Sequence, residues 1–298
     1  MKLMKTLLAA ILLLTVIGCT DANNKASDEP GKKVEVQTSV QLWSVRKTLK
    51  TDFEGTLTRI AEMGFDGVEF ARDFGPYKED PEGLKKFLDS IGLKVSGAHL
   101  GFNAFKPENF DKTVAFYKAI GAPTLIIPKD KRAFTDDKVD VFIDELVAIS
   151  EKLKVHGLKT GYHNHWQEFE EFYDTTFWDY IAMKTPKNVV MQLDVGWTNY
   201  AEKNAVDYIS RYQGRTITTH FKPQFAKSKK ESEKAMGHVA IIGRDNFDWS
   251  AVIEACIKVG GTNWFVIEQE EYPLGLTPLE AVKASKEGFD AIVAKIRL

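Results

Sequence analysis

Histidines and carboxylates recur two residues apart in this 298-residue chain. His163 pairs with His165, Gln192 with Asp194, His220 with Lys222 and Glu268 with Glu270. In an extended strand such pairs point to one face. Imidazole and carboxylate groups brought together from separate strands form a ligand set for one divalent ion, with Mn, Zn, Co, Fe and Mg all open. His163, Asp194, His220 and Glu268 are the candidate ligands. His165 is an alternative to His163, a partner behind it, or an acid–base group, because an ordinary imidazole titrates at about pH 6.5. Any one of these residues alone would pass as a hydrogen-bonding strand end. Four on successive strands point to a metal site.

The elements that must position them are legible as alternating patterns. Strand-like runs fall at Thr38–Val45, Gly67–Ala71, Lys94–Leu100, Thr124–Pro128, Lys159–His163, Val189–Val195, Thr216–Phe221 and Trp264–Gln269. Amphipathic helical stretches separate them, near Asp52–Met63, Pro81–Ile91, Asn109–Ile120, Asp137–Val155, Thr175–Lys184, Asn204–Tyr212 and Trp249–Val259, and a last one follows at Thr277–Lys295. Eight βα units of this length predict an α/β fold of the (βα)8 TIM-barrel type, in which chemistry gathers where the strands end. A doubly wound sheet is the competitor, but no strand is followed by a Gly-rich dinucleotide fingerprint. Glu69, His99 and Lys129 also fall at strand ends, as do the aromatic residues Trp43, Phe70, Phe102, Trp166, Phe169, Trp197 and Tyr272. Flat apolar faces beside polar groups suit a carbohydrate. Two or three of these rings are expected to touch it, the others to be packing.

Composition narrows the partners. With 40 Lys and Arg against 42 Asp and Glu, net charge −2, and 44% hydrophobic residues, the chain is neither disordered nor a polytopic membrane protein. It also lacks the overall basic balance that phosphate neutralisation on nucleic acid uses. The start differs from the rest. A basic Met1–Lys5 precedes an apolar run, Leu7–Ile17, of signal-peptide length, and Val16-Ile17-Gly18-Cys19 resembles a bacterial lipobox. The expectation is a signal peptide over 1–19, a flexible polar tether over 20–35, and one catalytic barrel over 36–298. The protein would be exported and held at the cell envelope only by lipid on Cys19. Cys256, the other cysteine, lies in an apolar helical stretch and is expected in the core. The sequence is compatible with a monomer or an oligomer.

Six ordered motifs carry a resemblance: Val40-Gln41-Leu42-Trp43-Ser44-Val45-Arg46, Gly64-Phe65-Asp66-Gly67-Val68-Glu69, Ser96-Gly97-Ala98-His99, Gly161-Tyr162-His163-Asn164-His165, Leu193-Asp194-Val195-Gly196-Trp197 and His220-Phe221-Lys222. Together they resemble the xylose isomerase-like sugar phosphate isomerase/epimerase superfamily, over essentially all of 36–298. The resemblance implies a (βα)8 barrel with one divalent metal held by strands five to eight, usually through Glu, Asp, His and Glu. Asp194, His220 and Glu268 match those seats. The first seat departs, since His163-Asn164-His165 stands where many epimerases show Glu-Asn, and is similar to an inositol-dehydratase-like and ketoglycoside-processing branch. Two metal-bound glutamates on opposite faces of an enediolate are then lacking.

What the resemblance still implies is enolisation beside a ketone, leading to isomerisation, epimerisation or loss of a β substituent from a non-phosphorylated keto sugar or a 3-keto-glycoside. The catalytic candidates are Glu69, His165, Glu270 and Lys222, with Glu268 a further candidate base. The substrate-binding candidates are Trp43, His99, Lys129, Trp166 and Trp197. A binding lipoprotein that has lost turnover is the alternative from another class, though intact candidate ligands argue against it. The apurinic-endonuclease branch of the fold needs more histidine and a basic face. The segment Pro223–Phe247 is expected to offer a solvated charge run and then a lid or short extra strand, from which His238 and Arg244 could reach substrate.

Overall fold

A computed structural model describes residues 35–297 of the chain. The signal-peptide and lipobox expectations, Cys19 included, lie outside the described residues. Eight strands build the barrel: β1 (Gln37–Gln41), β2 (Gly67–Phe70), β3 (Lys94–His99), β4 (Thr124–Ile127), β5 (Lys159–His163), β6 (Val190–Gln192), β7 (Thr218–Phe221) and β8 (Trp264–Ile267). All pairings among them are parallel, in the order β6-β5-β4-β3-β2-β1-β8-β7. The ring is nearly closed by a parallel bridge between Asp194 and His220, two of the candidate ligands.

Each strand is followed by a helix: α1 (Phe53–Glu62), α2 (Pro81–Ser90), α3 (Pro107–Ala119), α4 (Val139–Lys154), α5 (Phe177–Lys184), α6 (Ala205–Arg211), α7 (Trp249–Ala255) and α8 (Pro278–Val293). Their starts are written locally. Asp52, Asp80, Thr176, Asn204 and Asp248 each accept a backbone N–H of the first turn, and Thr277 with Glu280 forms a reciprocal capping box on α8. Their stops lie at glycines such as Gly64, Gly92 and Gly121, whose φ of 81°, 78° and 78° suits a residue without Cβ. The apolar faces, for example Phe142, Leu146, Ile149 and Leu153 on α4, lie buried in the core. Each such side chain contributes about 1.5–3 kcal/mol of burial free energy. Cys256 is among these core residues, as expected.

Three expectations need correction. The first strand ends at Gln41, because the Gln41 side chain accepts the Trp43 N–H at 3.1 Å and turns Leu42–Val45 into a tight helical turn. The sixth ends at Gln192, and Asp194 caps a short helix, Val195–Tyr200. The segment after β7 holds a helix, Lys230–Ala235, and no strand. Its apolar Ala240-Ile241-Ile242 is buried and pinned, with Gln269 donating to the Ala240 carbonyl at 2.7 Å and Ile242 N–H donating to Ser285 at 3.2 Å. The segment is thus tied to the barrel body. His238 bonds Glu233 at 2.7 Å and Arg244 is exposed, so neither faces the cavity described below. Among the described residues no helix is long and apolar enough to cross a membrane.

Candidate metal centre and active site

A cavity of about 430 Å³ opens where the strands end, lined by Trp43, Arg72, His99, Lys129, His163, His165, Trp197, Lys222, Glu268 and Glu270. Its floor is a hydrogen-bonded layer sealed from water. Glu69 lies in that layer, fully buried. It accepts Gln41 at 2.6 Å, Gln192 at 2.7 Å and His220 Nε2 at 2.6 Å. Room for it comes from a register shift between β2 and β3, which sets Gly97 opposite Glu69. A Cβ at Gly97 would stand 2.4 Å from Thr124 Oγ1 and 3.3 Å from Glu69 Oε1.

Gln192 then decides which histidine nitrogens carry protons. Its Nε2 donates to Glu69 and, at 3.1 Å, to Thr218, so its Oε1 accepts from His99 Nε2 at 2.7 Å and His163 Nδ1 at 3.2 Å. That leaves the Nε2 lone pair of His163 free, 3.7 Å from Asp194 Oδ2. His220 donates through Nε2 to Glu69, which turns Nδ1 toward Glu268 Oε2 at 2.8 Å. Burial lowers His220, but the Glu69 and Glu268 carboxylates outweigh it and raise it to about 10, so Nδ1 carries a proton toward Glu268 that a bound cation would displace. Ligand atoms of His163, Asp194, His220 and Glu268 all lie within 4.8 Å of one another.

Asp194 shows the fit most directly. Its Oδ1 caps the following helix by accepting Trp197 N–H at 2.8 Å, while its Oδ2 is buried with no partner. An orphaned buried carboxylate oxygen is costly unless a cation completes it. Burial pushes this carboxyl up to about 7, with Glu268 adding to the shift against Lys222 and His220. Burial also raises Glu268, but Lys222 and His220 outweigh it and hold that carboxyl well below its ordinary range. Burial lowers both His163, to far below its usual value, and His165, to about 3 with help from the Lys129 and Lys222 charges, so both are neutral. Neutral His163, His220 once a bound cation displaces its Nδ1 proton, and two carboxylates suit a divalent ion. Of the two histidines left open by the sequence, His163 belongs to the cluster, and His165 lines the cavity with its Nδ1 unpartnered.

Two residues not assigned from sequence hold the ligands in place. The Asn164 side chain brackets the Asp194 backbone, accepting its N–H at 2.8 Å and donating to its carbonyl at 3.2 Å. Buried Glu168 accepts Tyr162 O–H at 2.5 Å and His165 N–H at 2.8 Å. Asn164 sits between the two histidines in sequence, a signal that was available. Glu168, in a run of Glu and Phe, reads only as a solvated charge.

Among the remaining candidates, Lys222 is buried, ion-paired with Glu270, 3.9 Å from Glu268 and 4.5 Å above the Trp197 ring. Burial lowers it, but Glu268, Asp194 and Glu270 outweigh burial and keep it charged. Glu270 also accepts Trp43 Nε1 at 2.9 Å, so it is engaged on both sides. Lys129 faces the cavity without an ion pair among the described residues. Two expectations are corrected. Glu69 lies beneath the ligands rather than in the cavity, where it fixes His220, because the bulge beside it drops its carboxylate into the barrel interior. Trp166 stands outside the cavity against Tyr200, with Lys227 5.6 Å over its ring, because the turn after β5 carries it away from the axis.

The profile of the xylose isomerase-like TIM barrel family matches residues 57–294. The chain belongs to that family. The inosose dehydratase of Lacticaseibacillus casei is 25% identical to the chain over 272 residues, covering 80% of this chain and 89% of that one. Among solved structures, a sugar phosphate isomerase/epimerase from Parabacteroides distasonis superposes with a TM-score of 0.69 at 23% identity, over 93% of this chain and 100% of that one. The IolI protein with a bound zinc atom superposes with a TM-score of 0.58 at 14% identity, over 87% and 99%. These superpositions establish the shared xylose isomerase-like barrel.

Proposed function

We propose that the chain is a divalent-metal-dependent enzyme that enolises a non-phosphorylated keto sugar or glycoside and expels a substituent β to the ketone, a lyase. The observation that carries this is the unpartnered Asp194 Oδ2 facing His163 Nε2 within the four-residue ligand cluster. His163, Asp194, His220 and Glu268 would hold a divalent ion, and its Lewis acidity would make the C–H beside a ketone more acidic, an effect of several kcal/mol. His165, neutral and with Nδ1 free, is placed to accept that proton. The C–H electron pair becomes the new C=C bond as the bond to the β oxygen breaks. Lys222, charged and buried at the same cavity, supplies a proton to the departing oxygen. Trp43 and Trp197 give flat faces for the sugar ring.

Elimination is favoured over epimerisation because β5 offers imidazole where a paired-carboxylate epimerase needs a second glutamate. A relative named inosose dehydratase supports the same choice. The proposal also includes export and lipid attachment at Cys19, which places the activity at the cell envelope; labelling of the full chain with radioactive palmitate, lost in Cys19→Ala, tests it. The enzymatic test is the full chain, purified in detergent and assayed for bound metal, then incubated with 3-keto-glucosides in D2O and followed by NMR. Release of the C1 substituent, with deuterium entering the carbon beside the ketone in the substrate that remains, both lost on chelation, is the expected outcome. Deuterium exchange without release makes it an isomerase or epimerase. Metal-free, inert protein overturns the reading in favour of a carbohydrate-binding lipoprotein.

A further inference from the structure

A second cavity, of about 350 Å³, lies beside the catalytic one, and Arg72 lines both. We propose that this groove is a leaving-group subsite that takes a second ring, joined through oxygen to the ring that carries the ketone. The inference rests on the lyase reading and adds its substrate class: a glycoside with a ring-shaped leaving group, rather than a single free ring.

Arg72 stands at the junction. It lies two residues past β2 and holds a left-handed φ of 70°, a conformation that a long side chain adopts at a cost. Its guanidinium forms no ion pair among the described residues and lies over the β3 turn, 3.6 Å from the position a Cβ on Gly101 would take. A fork of N–H donors between two cavities is suited to the oxygen that joins two rings, and to that oxygen as negative charge grows on it. Arg72 keeps its proton throughout and adds only hydrogen bonds.

Beyond Arg72 the groove has the make-up of a ring site. Phe74 meets Phe116 edge-on at 4.7 Å and Tyr117 at 5.9 Å, and stacks on Phe70 of β2 at 4.9 Å, so its ring is braced from behind. Asn103 and Asn109 stand at the edge, with Asn109 Nδ2 donating to the Asn103 carbonyl and the rest of both amides exposed. Apolar faces below, with amides and the Glu79–Lys112 ion pair beside Lys78 around them, suit a hydroxyl-bearing or aryl ring. Because the two cavities share Arg72 as a wall, a ligand that spans it would place one ring in each.

The test compares methyl, phenyl and cellobiose-type 3-keto-glucosides as substrates of the full-length metal-loaded chain, for the unaltered protein and for Asn109→Trp and Phe116→Ala. Asn109→Trp fills the groove from an exposed position. The expected result is a fall of about tenfold in kcat/KM for substrates with a ring leaving group, the order of one lost aromatic contact, and a change under twofold for the methyl substrate. The phenyl and cellobiose arms show whether an aryl or a sugar ring is preferred. Equal effects on all three substrates, or none on any, overturn the subsite while leaving the lyase reading intact.

Binding gives a readout independent of turnover. Saturation-transfer NMR with unoxidised phenyl β-glucoside should mark the phenyl protons in the unaltered chain and not in Asn109→Trp. If no keto-glucoside turns over but this marking persists, the lyase reading fails and the groove is a ring-binding site without a leaving-group role. If neither occurs, both fail.

Discussion

Two buried aspartates in this barrel have opposite fates. Asp179, in the first turn of α5, has every oxygen bonded, Oδ1 by Arg211 at 2.7 Å and Tyr212 at 2.5 Å, and Oδ2 by Thr176 at 2.9 Å and Thr175 at 3.1 Å. Burial raises its carboxyl, but the bonds from Tyr212, Arg211 and Thr176 outweigh that and hold it below the usual range. Asp194 has one oxygen satisfied by a helix cap and one with nothing, and burial drives it up to about 7. A saturated carboxylate stabilises the fold on its own. An unsaturated one in a cluster of ligand atoms is kept for something that the polypeptide does not supply.

The contrast can be broken most strongly at Asp194. Asp194→Asn keeps the Oδ1 cap and the side-chain volume, so the fold should persist while bound metal falls to background. Activity should drop on the order of a thousandfold or more, as loss of a Lewis acid worth several kcal/mol implies. Metal analysis beside far-UV circular dichroism checks it; full metal occupancy in the variant would end the assignment. Asn164→Ala comes next. Releasing the Asp194 backbone should weaken metal affinity by about 10–100-fold, the usual scale for groups that orient ligands, measured by competition with a fluorescent chelator.

Asp179→Asn should do the reverse of Asp194→Asn, leaving metal content and turnover intact and lowering stability by about 2 kcal/mol through weakened charge-assisted bonds. Urea unfolding followed by tryptophan fluorescence reads that number. The smallest effect is on pH. Because the folded Asp179 carboxyl is held below its unfolded value of 3.8, its contribution is present above that value and is lost as pH falls through the folded one. The stability difference between Asp179→Asn and the parent should therefore be constant from pH 5 to 7, in pH units set by the assay, and shrink below about pH 4. A difference that grew on acidification would contradict the bonding pattern around Asp179.

The site was legible to different depths at different residues. Strand-end position and two-residue spacing were enough to group His163, Asp194, His220 and Glu268 in space, because a strand alternates its faces and a barrel gathers its strand ends. The same argument misplaced Glu69, since spacing tells which face a side chain takes but not its depth. A register shift at Val68 and Glu69, with Gly97 giving way opposite, lowers that carboxylate beneath His220. Trp166 was grouped with Trp43 and Trp197 for the same reason, yet the turn after β5 carries it outside. The segment after β7 shows the limit of composition: Ala240-Ile241-Ile242 is apolar enough for a strand, but its partners, Gln269 and Ser285, come from the loop after β8 and from α8.

The sequence by itself determined the alternation of strand and helix, the caps and glycine stops that bound them, and the inventory of imidazoles and carboxylates at strand ends. These depend on periodicity and on hydrogen bonds between residues a few positions apart. Only the tertiary structure decided which of those groups are satisfied. Gln192 sets the free nitrogen of His163 from across the barrel, Glu69 fixes the His220 ring from 151 positions away, and nothing completes Asp194 Oδ2. Whether a buried polar atom has a partner depends on contacts between distant strands, and those exist only once the barrel has closed.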